Sequence, residues 1–174
     1  MLTGPVMGMK HAAPIMKSQG FGSIVTTASV AGTGGGYGPH VYSAVKAAVI
    51  NLSRSVAQEL GPFKVRVNTV CPGFINTPIF AGQLALADKE KDFVSPLAEL
   101  SSMAQPITRA GLPQDIANAV CFLASDHFAD RCRGGNLDTL LVFGLAGAFH
   151  DTWNFFELAT NFLHHFHGSL AHCR

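Results

Sequence analysis

One continuous stretch decides the fold: VYSAVKAAVINLSRSVAQELGPFKVRVNTVCPG, residues 41–73. Its apolar side chains first recur at spacings of three and four, which predicts an amphipathic helix over 41–60 that ends at Gly61 and Pro62. KVRVNTV, residues 64–70, then alternates polar and apolar residues before a Cys-Pro-Gly turn, which is typical of a strand that leaves a sheet. A long helix followed directly by such a strand indicates a βαβ unit.

The flanking segments extend this unit in both directions. SIVTTAS, residues 23–29, is short, β-branched and bounded by glycine, which favours a buried strand of a parallel sheet. Residues 2–18 carry an apolar helical stripe that Gly20 ends. The segment from Leu112 predicts another helix, with Asp115 in the first turn, where the helix dipole favours negative charge. The order helix, strand, helix, strand, helix therefore predicts an α/β fold with a doubly wound parallel sheet and right-handed crossovers.

Composition excludes several classes of protein. The chain has 174 residues, of which 48% are hydrophobic and 13% charged, as expected for one globular domain. Twelve Lys and Arg balance eleven Asp and Glu, so the chain lacks the basic excess that binding to nucleic acid or an acidic membrane would require. A small molecule is the predicted partner. The four cysteines form no C-x-x-C pair, no signal-like segment begins the chain and no apolar run is long enough to cross a bilayer. These features predict a cytoplasmic protein with reduced thiols.

Two segments have less regular patterns. Residues 74–110 include the charged run ADKEKD and two prolines, and both a mobile substrate lid and an ordinary solvated helix over 85–94 are compatible with them. Residues 131–174 hold five of the eight histidines. The sequence HHFHGSLAHC, residues 164–173, lacks the i, i+4 spacing that places two ligands on one helix face, so no metal site is predicted.

The segment GTGGGYGPHVYSAVK, residues 32–46, contains two candidate sites. Its glycines, between a strand and a helix, are compatible with a pyrophosphate cradle, but glycine is common in this chain and a turn with positive φ is the alternative. Tyr42 and Lys46 lie one helical turn apart on the same face, where the ammonium would lower the pKa of the phenol from about 10. Tyr42 then becomes a proton donor and acceptor near neutral pH, and Ser29, at the end of the preceding strand, would donate to a carbonyl oxygen.

Taken together, four motifs resemble the short-chain dehydrogenase/reductase family. They are SIVTTASVAG (23–32), YSAVKAAV (42–49), VRVNTVCPGFINTP (65–78) and RAGLPQDIANAVCFLASD (109–126). The resemblance runs from residue 1 to about 130 and implies a Rossmann-type fold with NAD- or NADP-dependent hydride transfer between an alcohol and a carbonyl. It also implies a homo-oligomer formed through the helices 2–18 and 41–60. Neither the substrate nor the choice between NAD and NADP follows from it.

The resemblance assigns roles to individual residues. Ser29 would orient and polarise the substrate carbonyl, Tyr42 would exchange a proton with its oxygen, and Lys46 would bind the nicotinamide ribose and lower the tyrosine pKa. A second set resembles the turn that contacts the nicotinamide carboxamide: Pro72, Gly73, Ile75 and Thr77. The glycine cluster then lies on the substrate side of the site and does not bind the cofactor phosphates.

The chain also departs from the family pattern. The family's Thr-Gly-x-x-x-Gly-x-Gly fingerprint has no match, Met1 stands where the family has a catalytic asparagine, and the expected Thr-Gly turn and final strand do not follow Asp130. Residues 1–130 thus correspond to the C-terminal two-thirds of a family domain, and 131–174 to a divergent tail, as in a truncated chain with a frame change near Asp130. We expect no turnover unless another polypeptide supplies the missing half. The alternative to an oxidoreductase is an inactive fragment or pseudoenzyme that acts through subunit association.

Overall fold

The computed structural model describes residues 1–80, 109, 111–126 and 141–143. The helices and strands alternate as the sequence predicts, from an N-terminal helix to the helix that begins after Leu112. Within the described residues the elements are α1 (Thr3–Gln19), β1 (Gly22–Thr27), α2 (His40–Leu60), β2 (Val65–Cys71), α3 (Pro113–Ala124) and β3 (Leu141–Phe143). Most of 81–110, with the possible lid or helix over 85–94, and the histidine-rich segment 164–173 lie outside the described residues.

The strands form a parallel sheet in the order β1, β2, β3. The register of β1 against β2 runs from Gly22 opposite Val65 to Thr27 opposite Val70. Parallel neighbours need a crossover between them, and α2 provides it for this pair. The carboxyl ends of β1 and β2 therefore meet at one edge of the sheet, which is where α/β proteins place their binding sites.

Strand β3 is a short third strand beside β2, in a segment for which the sequence predicts no strand. Leu141, Val142 and Phe143 pair in parallel with Thr69, Val70 and Cys71 at the end of β2. The three residues are apolar, and the side of β2 that faces away from β1 offers them backbone N–H and C=O groups. A short strand thus lies within the segment 131–174 that was interpreted as a divergent tail.

Helices cover both faces of the sheet, as a doubly wound fold requires. On one face a core of buried residues joins α1, α2 and β2, namely Met9, Ala57, Leu60, Val65 and Val67. On the other face Leu123 of α3 packs on Val70, with Val25 and Ile116 partly buried beside them. Burial of each such side chain contributes roughly 1.5–3 kcal/mol. Among the described residues no helix is both long and apolar enough to cross a membrane.

The predicted helix ends are correct in position, but one has a different geometry. Gly20 ends α1 in the left-handed region, at φ 75°, and its N–H donates to the carbonyls of Met16 and Lys17. Helix α2 stops at Leu60, yet Gly61 stays right-handed at φ −52°. The chain instead continues into a 3-10 turn over Gly61–Phe63, and Lys64 takes the left-handed conformation, at φ 58°. The chain therefore turns into β2 at Lys64, three residues after Gly61.

Three buried hydroxyl groups join the central elements beneath the strand ends. The Oγ1 of Thr26 in β1 lies 2.9 Å from the Oγ of Ser53 in α2 and 2.9 Å from the Oγ1 of Thr69 in β2. Ser53 also donates to the carbonyl of Val49 at 2.9 Å. Because buried polar groups are costly unless they are hydrogen-bonded, this network fixes α2 at one position over the two strands.

Candidate active site

Ser29 lies just beyond the end of β1, where the pairing with β2 continues. The N–H of Ala28 donates to the carbonyl of Val70 at 2.8 Å, and the N–H of Val30 donates to the carbonyl of Pro72 at 3.1 Å. Ser29 itself is extended, at φ −168° and ψ 156°, and its side chain is only 9% exposed. The backbone on either side of the serine is thus held by the end of β2.

The Ser29 hydroxyl also caps the short turn that follows it. Its Oγ accepts the N–H of Ala31 at 3.2 Å, at the start of the 3-10 turn over Val30–Gly32. This bond uses a lone pair and not the hydroxyl hydrogen, so the hydroxyl retains its capacity to donate. A hydroxyl group that can donate is suited to binding a carbonyl oxygen.

Gly32 brings this turn against α2. A Cβ at Gly32 would lie 2.6 Å from the carbonyl carbon of Lys46 and 2.7 Å from the nitrogen of Ala47, distances that real side chains do not show. Only glycine permits this close approach between the turn and the helix backbone. Gly32 is therefore engaged in packing and does not form an open phosphate cradle, in agreement with the placement of the glycine cluster between Ser29 and Tyr42. Within that cluster, Gly36 has a positive φ, at 86°.

Tyr42 and Lys46 lie in the first two turns of α2, and both are half-buried. The Nζ of Lys46 is 5.7 Å from the centre of the Tyr42 ring and donates to the carbonyl oxygen of Thr27 at 3.1 Å. The backbone groups of Ala28 point to β2, so those of Thr27 point to the opposite edge of β1. Lys46 thus joins the tyrosine to the strand end that carries Ser29. Within the described residues no hydrogen bond joins Ser29 directly to Tyr42.

The turn after β2 is held at both of its ends. Pro72 accepts the N–H of Val30, as described above, and Ile75 forms an isolated parallel bridge with Gly111. The N–H of Asn76 donates to the carbonyl of Gly111 at 2.7 Å, and the N–H of Gly111 donates to the carbonyl of Phe74 at 3.0 Å. The structure therefore brings the segment Pro72–Thr77 and the serine turn to the same edge of the sheet.

Cys71, to which the sequence assigns no role, lies between these two turns. Cys71 is the last residue of β2, is fully buried and packs with Ala28, Val49 and Ile50. Burial raises the pKa of its thiol to about 11, partly opposed by a hydrogen bond from the Ser29 backbone and by two nearby cations. The thiol is therefore protonated at neutral pH and serves as packing beneath the serine.

Metal chemistry has no support within the part of the chain that the structure describes. No three His, Cys, Asp or Glu side chains of those residues lie close enough together to hold an ion. Zinc and similar ions in proteins need three or four such ligands.

The sequence of the chain matches a known family. A family model described as enoyl-(acyl carrier protein) reductase matches residues 1–137. The chain belongs to the short-chain dehydrogenase/reductase family. The match extends slightly past residue 130, where the sequence analysis placed the end of the resemblance.

Individual members of the short-chain dehydrogenase/reductase family show how much of a whole enzyme this chain represents. The (+)-borneol dehydrogenase 2 of Salvia officinalis is 42% identical over 141 residues, which cover 77% of this chain and 47% of the relative. Levodione reductase has a similar crystal structure, with a TM-score of 0.67, 33% identity, and coverage of 82% of this chain and 52% of that one. L-sorbose reductase from Gluconobacter frateurii, solved with NADPH and L-sorbose, has a TM-score of 0.67, 25% identity, and coverage of 81% and 53%. The chain thus spans about half the length of these short-chain dehydrogenases/reductases, and the predicted partial Rossmann-type fold is confirmed.

Proposed function

We propose that this chain carries the catalytic half of an NAD(P)-dependent oxidoreductase that interconverts an alcohol and a carbonyl. The observation that carries the proposal is the position of Lys46, whose ammonium lies 3.1 Å from the Thr27 carbonyl and 5.7 Å from the Tyr42 ring centre. This one side chain links the tyrosine helix to the strand that ends at Ser29. We therefore assign these three groups, which have complementary proton chemistry, to one site at the carboxyl edge of the parallel sheet.

Each of the three groups has a role in proton transfer or binding. The Ser29 hydroxyl donates to the substrate oxygen and polarises the carbonyl, while the Tyr42 phenol gives a proton to that oxygen or takes one from it. The ammonium of Lys46 supplies positive charge beside the phenol and donors for the hydroxyl groups of a sugar. When bound, the nicotinamide cofactor supplies or accepts the hydride.

The residues present fit the nicotinamide end of such a cofactor. Lys46 offers donors at the outer edge of β1, and the turn Pro72–Thr77, at the end of the neighbouring strand β2, is fixed by backbone hydrogen bonds at both ends. We assign Pro72, Gly73, Ile75 and Thr77 to contacts with the nicotinamide group and Tyr42 and Lys46 to its ribose. L-sorbose reductase was solved with NADPH, which supports a nicotinamide cofactor here and leaves the choice between NAD and NADP open.

A chimaera tests this function, because the chain corresponds to only about half of its relatives. Residues 1–137 would replace the matching part of levodione reductase, whose remaining half supplies the nucleotide-binding strands. We expect no measurable turnover from the 174-residue chain alone and NAD(P)H-dependent carbonyl reduction by the chimaera. In the chimaera, Tyr42→Phe should lower kcat by at least about 100-fold, because general acid–base catalysis contributes this much.

Ser55→Ala is the matched control, since it also removes a hydroxyl from α2 but at an exposed position away from the site. Its kcat should equal that of the parent chimaera. An active chimaera in which Tyr42→Phe turns over as fast as Ser55→Ala would contradict the proposed role of Tyr42.

A second candidate function is supported by exposed apolar side chains on the two helices that the sequence assigns to subunit association. Val6 and Met7 of α1 are 39% and 42% exposed, and Val41 of α2 is 76% exposed. We propose that these helices form a homo-oligomer, in which an inactive chain could still act as a subunit. Sedimentation velocity tests this: the chain should sediment as a dimer or larger, and Val41→Asp should shift it to a monomer. A monomer at every concentration would exclude this candidate.

A further inference from the structure

The segment at the start of α3 is in direct contact with the turn Pro72–Thr77. Gly111 is the point of contact, because its N–H and carbonyl both bond to this turn, at 3.0 Å to the Phe74 carbonyl and 2.7 Å to the Asn76 N–H. The two segments are separated by more than thirty residues in the sequence. Loops with functional residues usually depend on a rigid neighbour for their position, and here the neighbour is the entry to a helix.

A side chain at Gly111 would be crowded by the turn. It is buried, and a Cβ at this position would lie 2.5 Å from the Cδ1 of Ile75 and 3.2 Å from the carbonyl oxygen of Phe74. Its backbone is not in the left-handed region. The constraint is therefore one of space: the missing side chain lets the two backbones approach to hydrogen-bonding distance.

The residues around Gly111 are themselves fixed. The guanidinium of Arg109 forms two hydrogen bonds with the carboxylate of Asp115, at 2.8 and 3.2 Å, and that carboxylate also accepts the N–H of Leu112 at 2.8 Å. Bidentate pairs of this kind set orientation as well as distance. At its other end, α3 is tied to β2 by Arg66, which donates to the carbonyls of Ala124 and Ser125 at 3.2 and 3.1 Å.

From these contacts we infer that Gly111 is a positioning residue that sets the turn Phe74–Thr77 and, through Ile75, the nicotinamide side of the cofactor site. The effect on cofactor rests on the proposed function, whereas the positioning of the turn does not. A larger residue at 111 displaces Ile75 or the Phe74 carbonyl. The turn then loses the Asn76 bond and presents its cofactor contacts in the wrong place.

Two measurements on the 174-residue chain test this inference. The first is amide hydrogen exchange of Asn76 by NMR, which reports the turn itself. The second is an NMR titration with nicotinamide mononucleotide, which carries the nicotinamide and its ribose but needs no adenosine site. Gly111→Ala should accelerate exchange at Asn76 at least tenfold and raise the Kd for the mononucleotide at least fivefold.

Two further variants separate positioning from general instability. Ile75→Val removes the Cδ1 atom that the new Cβ would meet, so the double variant Gly111→Ala/Ile75→Val should recover most of the Asn76 protection. Gln114→Ala is the control in the same segment, because it removes only an exposed hydrogen bond to Asn118 within α3. Its exchange and its Kd should equal those of the unmodified chain.

Each outcome has one meaning. Exchange at Asn76 that is unchanged in Gly111→Ala, or that is not recovered in the double variant, overturns the inference. If exchange changes as expected but the mononucleotide binds the unmodified and Gly111→Ala chains equally, the turn does not contact the nicotinamide group and the link to the cofactor is wrong. If the unmodified chain does not bind the mononucleotide at all, the proposed cofactor site fails, and the exchange data alone decide the positioning role.

Discussion

The serine turn (residues 28–32) and the turn proposed to contact the cofactor (residues 72–77, here called the cofactor turn) follow neighbouring parallel strands, and each packs against a glycine at which a Cβ would be crowded. The atoms that crowd the two glycines differ. Gly32 faces backbone atoms of Lys46 and Ala47, in the middle of a helix that is fixed by the core. Gly111 faces the methyl group at the tip of Ile75, which can rotate away, and the carbonyl oxygen of Phe74 at 3.2 Å, which belongs to the turn itself. The serine turn is therefore held rigidly, and the cofactor turn is held by a contact that can adjust.

Under the proposed function, this difference separates proton transfer from cofactor binding. In that proposal the hydroxyl of Ser29 keeps a fixed relation to Tyr42 and Lys46, because proton transfer depends on hydrogen-bond geometry. Contacts with a cofactor are spread over several residues, so a small displacement of one of them costs less. The two turns should consequently respond differently to substitution.

The largest effect is expected for Gly32→Ala, which breaks the rigid contact. The new methyl group must push the serine turn away from α2, because neither Lys46 nor Ala47 can move its backbone alone. We expect a loss of roughly 1–3 kcal/mol in the free energy of unfolding, as for other overpacked sites. Urea denaturation measures it.

Gly35→Ala is the control for that experiment, since a Cβ at Gly35 meets nothing within 4 Å and its φ is not positive. Its unfolding midpoint should stay near that of the unmodified chain. If the two alanine variants are equally stable, the packing of Gly32 against α2 is not a constraint.

A smaller effect is expected for Arg66→Met, which tests the dependence of the cofactor turn on α3. The variant keeps much of the side-chain volume but loses the hydrogen bonds to the carbonyl groups at the end of α3. We expect a loss of about 1–2 kcal/mol, because bonds to a charged donor are stronger than neutral ones. Hydrogen exchange should accelerate more at Asn76 than at Val30. Equal acceleration at both amides would show that the two turns depend on α3 to the same extent.

Alkylation of cysteine compares the buried thiol beneath the serine turn with an exposed one. Cys71 is fully buried with a pKa of about 11, whereas Cys121 lies exposed on α3. At pH 8, iodoacetamide should modify Cys121 and leave Cys71 unmodified, as read by mass spectrometry of the separated peptides. In urea both should react, and in Gly32→Ala the rate at Cys71 should rise. Equal rates at the two thiols in the folded chain would contradict the packing of Cys71 under Ser29.

The raised pKa of Cys71 has a second measurable consequence. An unfolded thiol ionises near pH 9, whereas the folded one ionises only near 11. The stability that this group contributes is therefore complete below pH 9 and is lost as the pH rises towards 11. A Cys71→Ala variant should show a flatter stability profile across that interval than the unmodified chain.

The smallest effect concerns the ion pair at the entry to α3. The hydrogen bond from Arg109, together with that from the Leu112 N–H, lowers the pKa of the Asp115 carboxyl below its ordinary value. The contribution of the pair is thus present above an ordinary aspartate pKa of about 3.9 and is lost as the pH falls through the lower folded value. An NMR titration should show the midpoint of Asp115 rising in Arg109→Gln. An unchanged midpoint would show that Arg109 does not hold this carboxylate in solution.

Much of the fold follows from the sequence, because α2 and β2 have strong local periodicity. The predicted bounds are one residue off at most: a helix over 41–60 against the observed His40–Leu60, and a strand over 64–70 against the observed Val65–Cys71. Two details did not follow from the sequence. Gly61 does not take the left-handed conformation, because Pro62 leads into a 3-10 turn. Strand β3 was not predicted, because its three apolar residues lie in a segment without a clear pattern and become a strand only by pairing with the edge of β2.

The site was only partly predictable. The sequence locates Tyr42 and Lys46 on the helix where the structure has them, whereas Ser29, predicted as the last residue of a strand, lies two residues beyond the end of β1. The catalytic roles of all three stay predictions. The roles of Gly32 and Gly111 were not recognised, because what matters at each is a neighbour distant in the sequence. A glycine that is needed for space looks in the sequence like one that is needed for a turn. Only the contact with Lys46 or with Ile75 distinguishes them.

The hydrogen bond from the N–H of Val30 to the carbonyl of Pro72 uses main-chain atoms only. One link between the serine turn and the turn after β2 therefore does not depend on the identity of the side chains at these two positions. Under the proposed function, side chains around this bond can be exchanged to change substrate preference while the bond itself is kept. For protein engineering, the pair formed by Val30 and Pro72 is the part of the site to leave untouched while the rest is varied.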